Sequence, residues 1–214
     1  MKQIIEYGHI EFFKQNGYLE IEDFISEDQL YLLNKAIEST QKEKNLHQKS
    51  VEDLFLESHD LFRSIPDLKM FLLSPQVAMI ISQLTHQNSF RLLFDQLLVY
   101  PACLHYPNPL FVSDLSFQGV LLAGLIKLSG PESDQGVLPR KPGFVSFFNP
   151  HKELPLDAFL ERSSTEYLLF VFGKRDALYT LAPKDPHGQL LKKLGYGYGD
   201  HLNNEFHPLI FKKS

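Results

Sequence analysis

Residues 108–128 read NPLFVSDLSFQGVLLAGLIKL, and the second half of this stretch decides the fold. From Gly119 to Leu128 the run GVLLAGLIKL is apolar except at Lys127, which suits a strand buried on both faces. Working outward, SFRLLFDQLLVYP before it places Phe90, Leu92, Phe94 and Leu98 at strand period. After it come GFVSFF, EYLLFVF and ALYTL, separated by the turn clusters SGPESDQG, RKPG and GKRD. Strands punctuated in this way predict a β-sandwich or jelly roll. Phe94, Leu122, Leu125, Phe147 and Phe170 are its expected core.

Upstream of His86 the texture is helical. IIEYGHIEFFKQNG sets Ile10 and Phe13 on one face and stops at Gly17, which tolerates a left-handed backbone. YLEIEDF then alternates as a short strand. Ser26 followed by Gln29 is a capping box, opening a helix with Leu30, Leu33 and Ile37 as its stripe. Ser50 is a further cap, and Pro66 and Pro75 stand where prolines start helices. The predicted architecture is α+β in one domain, residues 1–214: a mainly helical part over 1–88, a β core over 89–182, and a short helix with a Gly-rich tail over 183–214.

Composition narrows the function classes. The chain has 214 residues, a net charge of −5 and one cysteine. That charge gives no basic footprint for nucleic acid. The lone Cys103 cannot form an internal disulfide, which suits a reducing compartment, and it reads as a buried structural thiol. No apolar h-region opens the chain, and no unbroken apolar run reaches the roughly 20 residues of a membrane span. The expectation is a cytoplasmic protein without membrane contact, whose partner is an unidentified small ligand or protein.

EFFKQNGYLEIEDFISEDQL (residues 11–30), RLLFDQLLV (91–99), SFQGVLLAGLIKL (116–128) and GVLPRKPGFVSFF (136–148) resemble, in order and approximate spacing, the phytanoyl-CoA dioxygenase-like family. That resemblance implies a double-stranded β-helix, a jelly roll that holds Fe(II) and 2-oxoglutarate. The family's metal sits on two histidines and one carboxylate, leaving positions open for the keto acid and oxygen. An arginine pairs with the far carboxylate of the keto acid.

Carried over residue by residue, the family's carboxylate falls on Asp114 and its first histidine on Val112, which binds no metal. The distal histidine falls near Leu154, with His151 three residues early, and the arginine falls near Thr165 or Glu166, with Arg162 early. His105 precedes Val112 by seven residues. The ligand set is therefore out of register. The expectation is a non-catalytic binding or regulatory protein without a cofactor, in which Asp114 lies at the mouth of the β core and bonds to backbone or a cation. The alternative is a working Fe(II)/2-oxoglutarate oxygenase with a rearranged site of Asp114, His151 and His105, and Arg162 toward the keto acid.

The nine histidines, His9, His47, His59, His86, His105, His151, His187, His201 and His207, show no clustered ligand spacing, and most of them read as surface or loop residues. KDPHGQ holds Asp185 and His187 as Asp-x-His, for which a helix-start turn is the simpler reading. GYGYGD lacks the features of a phosphate loop, so Tyr196 and Tyr198 are expected to pack its tail against the core.

Overall fold

The computed structural model describes residues 5–45, 49–107, 109–132, 136–156 and 165–211. Helix α1 (Tyr7–Asn16) ends at Gly17, whose φ of 75° is the left-handed conformation that glycine takes without strain. Strand β1 (Tyr18–Ile21) follows directly. Helix α2 (Glu27–Glu43) starts on the expected capping box, with Ser26 and Gln29 bonding reciprocally. Ser50 caps α3 (Val51–Glu57), while Pro66 and Pro75 open α4 (Pro66–Leu72) and α5 (Pro75–Thr85).

The strands are β2 (Ser89–Leu98), β3 (Leu110–Phe111), β4 (Phe117–Ser129), β5 (Val145–Phe148), β6 (Glu153–Leu154) and β7 (Glu166–Tyr179). Helix α6 (Gly188–Lys193) and strand β8 (Leu209–Phe211) complete the chain. Six strands form one antiparallel sheet in the order β1-β5-β4-β7-β2-β8, and β3 pairs with β6 in a second, two-stranded sheet. Strand β8 is an addition to the sequence reading. Three residues are too few to show a period, and its pairing with Ser89–Arg91 is settled only by tertiary structure.

The run that decided the fold behaves as expected. β4 lies between β5 and β7, and Leu122 through Ile126 are buried regardless of which face they point to. The five expected core residues are all at most 1% exposed. Gly124 lets the Phe170 ring lie flat on the sheet, since a Cβ there would overlap the ring. Phe170 in turn meets Phe147, which meets Phe24 before α2, and Phe24 meets Phe71 of α4. This chain of edge-on rings fastens the helices to one face of the large sheet.

Strand β2 departs from the alternation read in its sequence. Leu92 pairs with Phe172, but Phe94 pairs with Val171, so a bulge separates them. Paired residues point to the same side of a sheet. Phe90 and Leu92 therefore share the helix-covered face of Phe172, while Phe94 and Gln96 share the opposite face with Val171 and Leu169. Asp95, opposite Phe170, points back to the helix-covered face. Asp95 and Gln96 point to opposite sides as neighbours in a strand do, and the bulge sets which face each one takes.

One stretch among the described residues, Pro66–Thr85, has the length and mean hydropathy of a membrane span. It is broken between α4 and α5, and Leu68, Leu72, Val77, Ile80 and Ile81 are fully buried within the protein.

Candidate functional site

Two places compete for the role of site. The first is where the oxygenase resemblance puts its metal. Strand β3 runs into a single 3-10 turn, Val112–Asp114, and pairs with β6 through Leu110 opposite Leu154. Val112, Leu110, Leu154 and Leu156 are all fully buried. Of the two positions on or near which the resemblance places histidines, Val112 opens the turn after β3 and Leu154 lies on β6, and both are aliphatic. Asp114 is exposed and accepts a hydrogen bond from the Ser113 hydroxyl at 3.3 Å. That corrects the expected bond to backbone or a cation: an exposed carboxylate is hydrated and needs neither.

The substitutes do not gather around it. His151 is exposed in the turn after β5, where its backbone N–H donates to Asn149 Oδ1 at 2.9 Å. His105 is exposed in the 3-10 turn Ala102–His105, its ring 5.5 Å from that of Phe55. Arg162 lies outside the described residues, as does His47. Among the described residues no three His, Cys, Asp or Glu side chains are arranged to hold a metal ion. Cys103 is buried, and burial pushes its thiol up to about 11, so it is an inert structural thiol.

The second place is polar and was not legible in the sequence. The free edge of β2 beyond β8 is taken by residues 58–60: Leu97 N–H donates to Ser58 O, and Asp60 N–H to Asp95 O. This lays His59 on the face of Gln96. His59 stacks on His187 with ring centroids 4.0 Å apart, and Phe55, Phe94 and Tyr106 surround the pair. Gln96 Nε2 donates to Phe55 O and Leu97 O, which fixes its Oε1 as an acceptor for His187 Nε2 at 2.9 Å. Asp185 accepts from the backbone N–H groups of His187 and Ser116, and its Oδ1 is 3.2 Å from His187 Nδ1.

The electrostatics follow from this burial. His59 is held well below the usual imidazole range, first by burial and then by His187 and Arg63. His207 donates from Nδ1 to Leu93 O at 2.7 Å, and burial brings it down to about 4. Asp185 is held below the usual carboxylate range by its bonds to His187 and Ser116, which outweigh its burial. On the other face, the Asp95 carboxylate accepts from Leu61 N–H and Phe62 N–H, both at 3.0 Å. Burial and neighbouring Asp60 nonetheless push Asp95 up to about 8.

His9, His86, His105, His151 and His201 are exposed, whereas His59, His187 and His207 lie in loops that are buried. Their side chains are buried because residues distant in the chain enclose them. The Asp-x-His motif does form the expected turn before α6, but it does so inside the protein. Tyr196 packs against His207 as expected, whereas Tyr198 is 79% exposed. Between α2 and the α4–α5 junction lies a separate apolar groove of about 290 Å³, with Leu32 and Met70 on its rim.

No family model matches this chain, and no curated protein matches it. Solved structures do. The non-heme alpha ketoglutarate dependent carbocyclase SnoK from nogalamycin biosynthesis is 15% identical, with a TM-score of 0.71 over 96% of both chains. The non-heme alpha ketoglutarate dependent epimerase SnoN from the same biosynthesis is 10% identical, with a TM-score of 0.62 over 94% of this chain and 97% of that one. EctD from S. alaskensis with bound Fe is 12% identical, with a TM-score of 0.56 over 79% of this chain and 77% of that one. At these identities the likeness is one of fold: the helices and antiparallel sheet are arranged as in Fe(II)/2-oxoglutarate oxygenases.

Proposed function

We propose that this chain keeps the jelly roll of the phytanoyl-CoA dioxygenase-like oxygenases without their chemistry, and works as a cytoplasmic binding or regulatory protein. One observation carries the reading. Leu110 pairs with Leu154 on the small sheet, and Val112 and Leu154 stand buried where the family pattern asks for histidines. An aliphatic side chain offers no lone pair to a metal, and Asp114 alone is a weak ligand. The donor set therefore does not fit Fe(II), and no catalytic step is assigned to it. A small ligand or a protein surface is the proposed partner, in preference to nucleic acid or a membrane.

The test is anaerobic titration with Fe(II) and 2-oxoglutarate, followed by a succinate-release assay over acyl-CoA and small-molecule candidates. The reading expects no stoichiometric binding and no succinate. Micromolar binding of both, lost in Asp114→Ala, would instead establish an oxygenase rebuilt from Asp114, His151, His105 and Arg162.

A further inference from the structure

Strand β1 is the last strand at one end of the large sheet and pairs with β5 alone. Asn149 N–H donates to Gly17 O, so Gly17 and Asn149 form a hydrogen-bonded antiparallel pair. Such pairs alternate along a ladder, so Leu19 bonds to Phe147 and Ile21 to Val145. The N–H and C=O groups of Tyr18 and Glu20 therefore point away from β5, and none of the four has a hydrogen-bond partner among the described residues. A groove of about 440 Å³ runs along this edge. It is lined by α1 through Gly8 and Phe12, by β1 through Tyr18 and Glu20, and by the loop before β5 through Arg140. The loop is fixed in place there. Arg140 N–H donates to Glu20 Oε2 at 2.7 Å, Nε to Glu20 Oε1 at 2.6 Å and Nη2 to Glu22 Oε1 at 2.6 Å. Phe12 is 42% exposed and meets the Tyr18 ring edge-on.

We propose that this groove binds an extended basic peptide segment of a protein partner, which adds to the sheet as a strand beside β1. An unpaired strand edge is a template for another strand. Main-chain bonds to Tyr18 and Glu20 hold the segment, and its alternate side chains set the selectivity. An apolar side chain meets Phe12 and Tyr18. A basic one meets Glu20 and Glu22, because the charged lining consists of these two carboxylates against the one guanidinium of Arg140. Lys152 lies over the Tyr18 ring and donates to Asn16 O, and it is not among the lining residues. A second copy of the chain fits less well, since its β1 would carry its own α1, Glu20 and Glu22 into the same groove. None of the residues on which the resemblance places iron ligands lines this groove, so peptide binding here is independent of iron binding there.

The probe is a pentapeptide of alternating lysine and valine, capped at both ends, titrated into the full chain and followed by amide NMR. Without peptide, the Tyr18 and Glu20 amides should exchange with solvent faster than those of Leu19 and Ile21. Peptide should shift and protect Tyr18 and Glu20, saturating below millimolar concentration. Methylating the peptide's backbone nitrogens removes its donors and should weaken binding about tenfold or more. A glutamate–valine peptide should bind about tenfold more weakly, since like charges then meet. Gly8→Phe sets a ring in the groove. A Cβ at Gly8 meets nothing within 4 Å, so this variant should melt like the parent while peptide affinity falls about tenfold. No shift at Tyr18 and Glu20 up to millimolar peptide, equal binding of the methylated or the glutamate peptide, or unchanged affinity in Gly8→Phe would overturn the proposal. So would a dimer in sedimentation that Gly8→Phe dissociates, which assigns the edge to a second copy.

Discussion

The turn after β3 and the edge of β2 present opposite chemistry. At the first, Val112 and Leu154 are aliphatic and buried, and the carboxylate of Asp114 faces water. At the second, residues with no ligand spacing in the sequence converge on the edge of β2: two stacked imidazoles, an amide and the Asp185 carboxylate on one face, and the Asp95 carboxylate on the other. The difference teaches that the buried polarity of this fold lies at the edge of β2 and not beside the turn after β3. Where the resemblance places a metal, Leu110, Val112, Leu154 and Leu156 belong to the hydrophobic core. The buried charge of the chain secures the junction between the N-terminal helices, β2 and the C-terminal segment instead.

That contrast can be broken at its hydrophobic side first. Phe170→Ala removes the ring that lies on Gly124 and meets Phe147. Unfolding by urea should show a loss of about 3–5 kcal/mol. A variant melting like the parent would mean that the sheet is not the main store of stability.

Acid should act on the polar side. His207 is unprotonated at Nε2, buried, and depressed to about 4. A depressed imidazole contributes stability that is fully present above its unfolded value near 6.5 and is lost as pH falls toward 4. The shift amounts to roughly 3 kcal/mol by linkage, and His59 acts in the same direction. Asp60 and Asp95, which burial raises to about 6 and about 8, lose stability as pH rises, and the opposition places maximum stability in the mildly acidic range. A set of urea midpoints from pH 4 to 9 checks it, and His207→Asn should flatten the acid limb.

Gln96→Leu asks how much one amide matters. It strips an acceptor from His187 and a donor from the carbonyls of Phe55 and Leu97. Leaving buried partners unsatisfied costs about 1–3 kcal/mol. The loss should be read as a lower urea midpoint at unchanged slope.

How far the sequence revealed this molecule depends on how local each signal is. The capping box at Ser26, the proline-led α4 and α5, and the β4 run are set by neighbours a few residues apart, and all were legible. The bulge in β2 was not, because the apolar pattern continues through it on both faces. The strand-rich core was readable from β4 and its neighbours. The polar cluster was invisible because His59 and His187 meet only through the fold. Asp185 and His187 offered the one local hint, and in isolation that pair is indistinguishable from a surface turn.

The smallest expected effect is the most discriminating. Asp114→Ala removes the one carboxylate on which the resemblance places a metal ligand. In a working oxygenase that carboxylate is a metal ligand, and its loss would abolish iron binding. Here it is exposed, with the Ser113 hydroxyl at 3.3 Å as its partner. Surface substitutions away from caps and networks change stability by within about 0.5 kcal/mol. Both the urea midpoint and the response to Fe(II) should therefore match the parent. Val112→His, made alongside, supplies the missing imidazole but sets it in a fully buried position. Overpacking there should cost about 1–3 kcal/mol, without creating iron binding, since Leu154 still occupies the third ligand's place. If Asp114→Ala shifts the response to iron while Gln96→Leu leaves stability untouched, the comparison between the two regions is inverted: the β3 turn is then the functional site, and the polar cluster is packing.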